Sequence, residues 1–145
     1  MATRGACVVL LALLATTGIA LAAQPVKGGT YSGKFTTAPS ESVTFKVSKN
    51  GAKVFGLKVS PSPPNKCGSG GPPPKQSSKP AAISSKGKFT ATVSYETVSG
   101  KVFATAKVTG KFLKHGAESG IVASKFTDPA TKMCQGSFNY TTKAG

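Results

Sequence analysis

The stretch Val43-Thr44-Phe45-Lys46-Val47-Ser48-Lys49-Asn50-Gly51 decides the fold class. Val43, Phe45 and Val47 alternate with Thr44, Lys46 and Ser48. A period of two puts one apolar row against a core and one polar row in water, the pattern of a half-buried strand. Asn50-Gly51 then supplies the residue pair that most readily adopts the positive φ of a tight hairpin turn. The return run carries Phe55, Leu57 and Val59 on one parity. An antiparallel hairpin is therefore predicted here.

The same period continues outward along the chain. Phe89, Ala91, Val93 and Tyr95 alternate with Lys88, Thr90, Thr92 and Ser94, and Ser99-Gly100 turns the chain. Val102, Ala104, Ala106 and Val108 then alternate with Phe103, Thr105, Lys107 and Thr109. Gly29–Thr36, with Tyr31 and Phe35 on one parity, reads as an earlier strand, and Gly120–Phe126 and Gly136–Tyr140 as two later ones. Beyond the first residues no segment sustains a helical period. Thr, Val, Phe and Tyr suit a pleated, half-buried surface. The expectation is an all-β chain of seven to eight short antiparallel strands. It is either a β-sandwich (jelly-roll or Ig-like) or a small closed β-barrel. Phe103 falls on the polar parity, which a bulge near Gly100, a covering loop or an exposed contact residue would each explain. Gly-Lys-Phe occurs at Gly33–Phe35, Gly87–Phe89 and Gly110–Phe112. Its flanks match at no fixed spacing, so it reads as chemistry for starting a strand, with Gly for the turn and Phe for the core.

The first residues read differently. Arg4 precedes an apolar run from Cys7 to Leu21, and Ala20-Leu21-Ala22 supplies small residues where a signal peptidase cuts. Residues 1–22 are read as a secretory signal peptide, with cleavage after Ala22 or, as second choice, Ala23. Residues 23–145 are then a single secreted all-β domain with a Pro/Gly-rich loop over 60–82, and no later segment is apolar enough to span a membrane. Cys7 leaves with the signal, so Cys67 and Cys134 remain. An even pair in an oxidising compartment reads as one disulfide; free thiols and an intermolecular bridge are the alternatives. Two distant cysteines and one histidine lack the clustering of a metal site.

Charge is the strongest functional signal. Without Arg4, eighteen lysines stand against Glu41, Glu96, Glu118 and Asp128, a balance of +14. Such a field attracts polyanions such as an anionic envelope polymer or an acidic glycan. The absence of Arg from the secreted part argues against forked recognition of phosphate, and no specific nucleic-acid recognition is expected. The lysines are scattered in sequence, which equally suits simple solvation of sheet faces. Phe103, Lys107, Lys75 and Lys79 are the candidate ligand contacts.

Catalytic patterns fare poorly. Gly28–Lys34 fits most of a phosphate-binding loop, but Phe35 stands where a Ser or Thr is needed and the stretch alternates like a strand. Ser85-Lys86-Gly87-Lys88 matches Ser-x-x-Lys without its companion motifs. His115 lies near Glu118 in a turn with no matching nucleophile. Glu118 and Asp128 flank one strand, but a hydrolase would need their carboxyls at a defined separation. No enzyme activity and no cofactor are expected, and an unrecognised hydrolase using His115 is the remote alternative. Asn139-Tyr140-Thr141 is a glycosylation sequon on the outward parity of the last strand. Pro61 and Pro64 fit P-x-x-P, whose readers are mostly intracellular.

The order Gly-Thr-Tyr-Ser-Gly, Val-Thr-Phe-Lys-Val-Ser-Lys-Asn-Gly, a Cys in a Gly/Pro-rich loop, Lys-Phe-Thr-Ala-Thr-Val, Val-Thr-Gly-Lys-Phe and Cys-Gln-Gly-Ser-Phe-Asn-Tyr-Thr resembles small exported all-β domains of high-GC Gram-positive bacteria, largely uncharacterised. The resemblance spans nearly the whole secreted part. At the penultimate strand Ala117-Glu118-Ser119-Gly120 runs one residue longer than that pattern. The resemblance implies the fold and the export, and no activity. The function expected is an exported, non-catalytic β-domain at or near the cell envelope, of unknown ligand, or else a soluble polyanion binder driven by lysine.

Overall fold

The computed structural model describes residues 22–60, 62–67 and 72–145. The signal peptide, Cys7, Pro61 and the tip of the proline loop lie outside the described residues, apart from Ala22. The strands are β1 (Thr30–Phe35), β2 (Ser42–Val47), β3 (Lys53–Ser60), β4 (Lys75–Ser78), β5 (Ala81–Ala82), β6 (Lys88–Glu96), β7 (Val102–Phe112), β8 (Ala117–Phe126) and β9 (Ser137–Ala144). A 3-10 turn, Lys114–Gly116, joins β7 to β8, and a 3-10 helix, Pro129–Cys134, joins β8 to β9. Neither is long and apolar enough to cross a membrane.

Among the described residues the strands form one antiparallel sheet in the order β4-β6-β7-β8-β9-β1-β2-β3-β5. It is curled into a half-barrel. Most connections are hairpins between sequence neighbours, and β9 closes the chain by pairing with β1. The two ends of the sheet approach each other across the interior. The Val59 N–H donates to Gln76 Oε1 at 3.0 Å, and the Tyr95 hydroxyl donates to the Val59 carbonyl at 3.3 Å.

Nine strands exceed the seven to eight expected. The extra two, β4 and β5, come from 60–82, read as a loop because its Pro, Ser and Lys residues show no apolar alternation. Lys75–Ser78 nevertheless pairs with β6, and Ala81–Ala82 with β3. Both are edge strands, where polar residues and neighbouring prolines are tolerated.

The Asn50-Gly51 hairpin forms as read. Ser48 N–H donates to the Lys53 carbonyl, the Ala52 N–H donates to Asn50 Oδ1, and Gly51 takes a φ of 75°. The return strand departs from its simple alternation. Thr44 opposes Lys58 while Lys46 opposes Phe55, so β3 carries one extra residue. Gly56, at φ 61°, absorbs this bulge. The parity therefore flips: Val54, Leu57 and Val59 are buried, and Phe55 is exposed.

The interior is aromatic. Tyr31 stacks on Phe45 with centroids 5.0 Å apart, and Phe112 and Phe89 close the cluster at 5.3 Å from Tyr31 and Phe45 respectively. The phenylalanines of all three Gly-Lys-Phe copies, Phe35, Phe89 and Phe112, are buried. Their glycines do not share the expected role. Gly87, at φ 66°, makes a turn before β6. Gly33 and Gly110 lie inside strands. A Cβ on Gly110 would fall on Glu118 and the Phe89 ring, so that position is a matter of space.

Candidate functional site

At the end of the half-barrel where β6 turns into β7 lies an apolar cleft of about 590 Å³, walled by Pro63, Pro72, Pro74, Phe103 and Phe126. That volume and lining are of the kind that small ligands occupy. Phe103 reaches it because Tyr95 opposes Ala104 while Glu96 opposes Val102, which leaves Phe103 as the extra residue of a β-bulge. Its half-buried ring packs 6.5 Å from that of Tyr95. Cys67 and Cys134 form the disulfide, with Cα atoms 5.2 Å apart, and both line the cleft. Cys134 ends the 3-10 helix, so the bridge pins the proline segment to that helix, just ahead of β9. The Lys66 N–H adds a backbone bond to the Cys134 carbonyl at 2.9 Å. Lys75 crosses from β4 to Glu96 on β6 at 3.8 Å, the one ion pair among the described residues.

Of the four candidate contacts, the structure brings Phe103 and Lys75 to this cleft. Lys79 lies beside a separate shallow surface depression with Thr90, Thr92 and Ser94. Lys107 stands on the outer face of β7, opposite Thr92 and Ala123.

The outer face is where the lysines gather. Antiparallel registers place Lys88, Lys111, Ser119, Thr141, Lys34 and Ser42 in one row across β6, β7, β8, β9, β1 and β2. The next row holds Ala117, Lys143, Ser32, Thr44 and Lys58. Neither row contains an acid. A shallow groove of about 600 Å³ follows the first row from Lys88 to Thr141 and includes Thr90, Thr109, Ile121 and Asn139 from the row beside it. Asn139 is exposed there, as its parity implied.

Two of the four acids point the other way. Glu118 is 1% exposed, and its carboxylate accepts from the Tyr140 hydroxyl at 2.7 Å and the Thr142 hydroxyl at 2.6 Å. Burial pushes its pKa up to about 7, against the opposing pull of the Thr142 and Tyr140 hydrogen bonds. Glu41 is also buried, with Oε2 lacking a partner among the described residues, and burial raises its pKa too. Glu118 and Asp128 were read as flanking one strand. Because β8 begins at Ala117, three residues before the expected start, Glu118 lies inside it and shares the inward parity of Val122 and Ser124. That parity, carried back from Val122, is the signal that could have found it. His115 is exposed in the 3-10 turn at φ 62° and makes no hydrogen bond with Glu118. The structure therefore does not assemble the His115–Glu118 pair that a hydrolase would use. The Gly28–Lys34 stretch runs into β1, not into the helix that a phosphate-binding loop requires.

No family model, no curated protein and no solved structure matches the chain.

Proposed function

We propose that this is an exported, non-catalytic β-domain that works at or near the cell envelope by holding an anionic polymer, an envelope polymer or an acidic glycan, through lysine electrostatics. The observation that carries this reading is the segregation of sign. Lysines cover the outside of the sheet, Glu41 and Glu118 are withdrawn into it, and a single ion pair, Lys75–Glu96, is formed among the described residues. An outer surface with so few acids has a field with nothing local to cancel it. The signal at residues 1–22 and the Cys67–Cys134 bridge suit an oxidising compartment. The resemblance to small exported bacterial β-domains belongs to the same reading. We take the half-barrel as an incompletely closed barrel in preference to a sandwich, a view supported by the bonds from Val59 to Gln76 and Tyr95 that join its two ends.

The test is binding of fluorescent alginate, a polyuronate, by the secreted protein across a salt series. If about five lysines each release counterions, the affinity falls on the order of 100-fold between about 50 and 200 mM salt. An affinity that does not change with salt, or no binding at the lowest salt, sinks the reading.

A further inference from the structure

The three Gly-Lys-Phe copies lie far apart in sequence and match at no fixed spacing. In the sheet their lysines fall in one row. Lys88 stands directly opposite Lys111, and Lys111 continues through Ser119 and Thr141 to Lys34. Each phenylalanine points into the core, so the lysine beside it must point out. The neighbouring row, about 7 Å along the strands, adds Lys143 and Lys58. With strands spaced by about 5 Å, Lys111 and Lys34 are on the order of 14 Å apart, and hydroxyls fill the interval. The result is a band of cations and hydroxyls running across the strands.

The pairing of Lys88 with Lys111 is unfavourable for the fold alone. Like charges directly opposite on neighbouring strands repel, and neither row offers an acid to separate them. An anion lying between the two ammonium groups would relieve the repulsion. The groove along this row passes over two glycines. Gly110 and Gly120 face each other in register, and a side chain on either would point inward onto Phe89, Glu118 or Tyr140, so the floor of the groove there is bare backbone. Ser119 and Thr141 between the lysines, and Asn139 in the row beside them, offer hydrogen-bonding groups to hydroxyls as well as charge to anions.

We infer that the Lys34–Lys88–Lys111 band, with Lys143 and Lys58, is the track on which an acidic glycan lies, its chain running across the strands and its hydroxyls meeting the polar residues between the lysines. This rests on the reading of the protein as a binder of anionic polymers and adds a location, a direction and a chemical class. Recognition by Lys in place of Arg fits spaced point charges better than forked pairing.

The experiment compares two triple variants of equal charge, with labelled alginate as probe. Lys34→Gln, Lys88→Gln and Lys111→Gln remove the band. Lys101→Gln, Lys125→Gln and Lys132→Gln remove the same charge from the opposite end of the sheet and its connections. The band variant is expected to bind about tenfold or more weakly, with a salt slope shallower by about 2, while the second variant stays within about threefold of the unchanged protein. The band variant is also expected to melt no lower than the unchanged protein, because it loses the Lys88–Lys111 repulsion. Equal weakening by both variants overturns the track while leaving a diffuse electrostatic binder in place. Failure of the unchanged protein to bind alginate overturns the broader reading. Tighter binding of a single-stranded poly(dT) than of alginate overturns the assignment to a glycan.

Discussion

At the scale of single residues, Glu118 is the least expected feature. A carboxyl inside a sheet has lost its water and has only two hydroxyls in return. The charged form is disfavoured, and the folded pKa rises to about 7 from an ordinary 4.5. In the unfolded chain the proton leaves near 4.5, while the folded chain holds it to about 7. Stability from this group is therefore complete below about pH 4.5, falls as pH rises towards 7, and levels off above. The expected loss is on the order of 3 kcal/mol. Denaturant midpoints measured from pH 4 to pH 8 check this, with Glu118→Gln expected to flatten most of the slope. A slope remaining in that variant belongs to Glu41, which burial shifts in the same direction. A Glu118→Gln variant with an unchanged pH profile would show that the carboxyl does not titrate in this range. The chemistry also explains why Glu118 and His115 make no catalytic pair: one side chain is enclosed and the other is in water.

At the scale of elements, the two bulges set which side chains face where. In β3, Gly56 takes a left-handed backbone with open space around the position a Cβ would occupy. Gly56→Ala therefore meets no clash, and its cost is backbone strain alone, about 1–2 kcal/mol. Equilibrium unfolding in denaturant measures it; a change near zero would mean that the bulge relaxes when the glycine is lost. Without the bulge Phe55 would turn inward and Val54 outward, the arrangement that unbroken alternation implies. In β7 the bulge acts in the opposite direction, inserting Phe103 so that Ala104, Ala106, Val108 and Phe112 keep to the core while the Phe103 ring turns to the cleft. Alternation is legible in sequence because each strand must bury one face. Bulges are legible only as exceptions, and Gly56 and Phe103 were each a single residue in an otherwise regular run.

At the scale of the whole molecule, the half-barrel is joined by β9 against β1 and by the Cys67–Cys134 bridge across 67 residues. A crosslink of that span restricts the unfolded chain by roughly 4 kcal/mol in the loop-entropy view. Cys67→Ser with Cys134→Ser is expected to lower stability by about 2–4 kcal/mol and to loosen first the proline segment and the 3-10 helix that the bridge joins. Urea denaturation and amide hydrogen exchange measure the two effects. Exchange that quickens uniformly over the sheet would show that the bridge supports the whole fold and not that corner.

The sequence by itself determined the all-β class, the hairpin at Asn50-Gly51, the positions of most strands, the cysteine pair and the excess of positive charge. These follow from local period, turn chemistry, parity of cysteines and counting, which require no knowledge of what lies beside what. Tertiary structure alone decided that Lys75–Ser78 and Ala81–Ala82 are strands, that Glu118 is enclosed, and that scattered lysines form rows. Edge strands are set by the partner that accepts their hydrogen bonds. Enclosure of Glu118 depends on where β8 begins and on the space left by Gly110. The lysine rows exist only through register, which places residues such as Lys34, Lys88 and Lys111 side by side although the chain separates them widely.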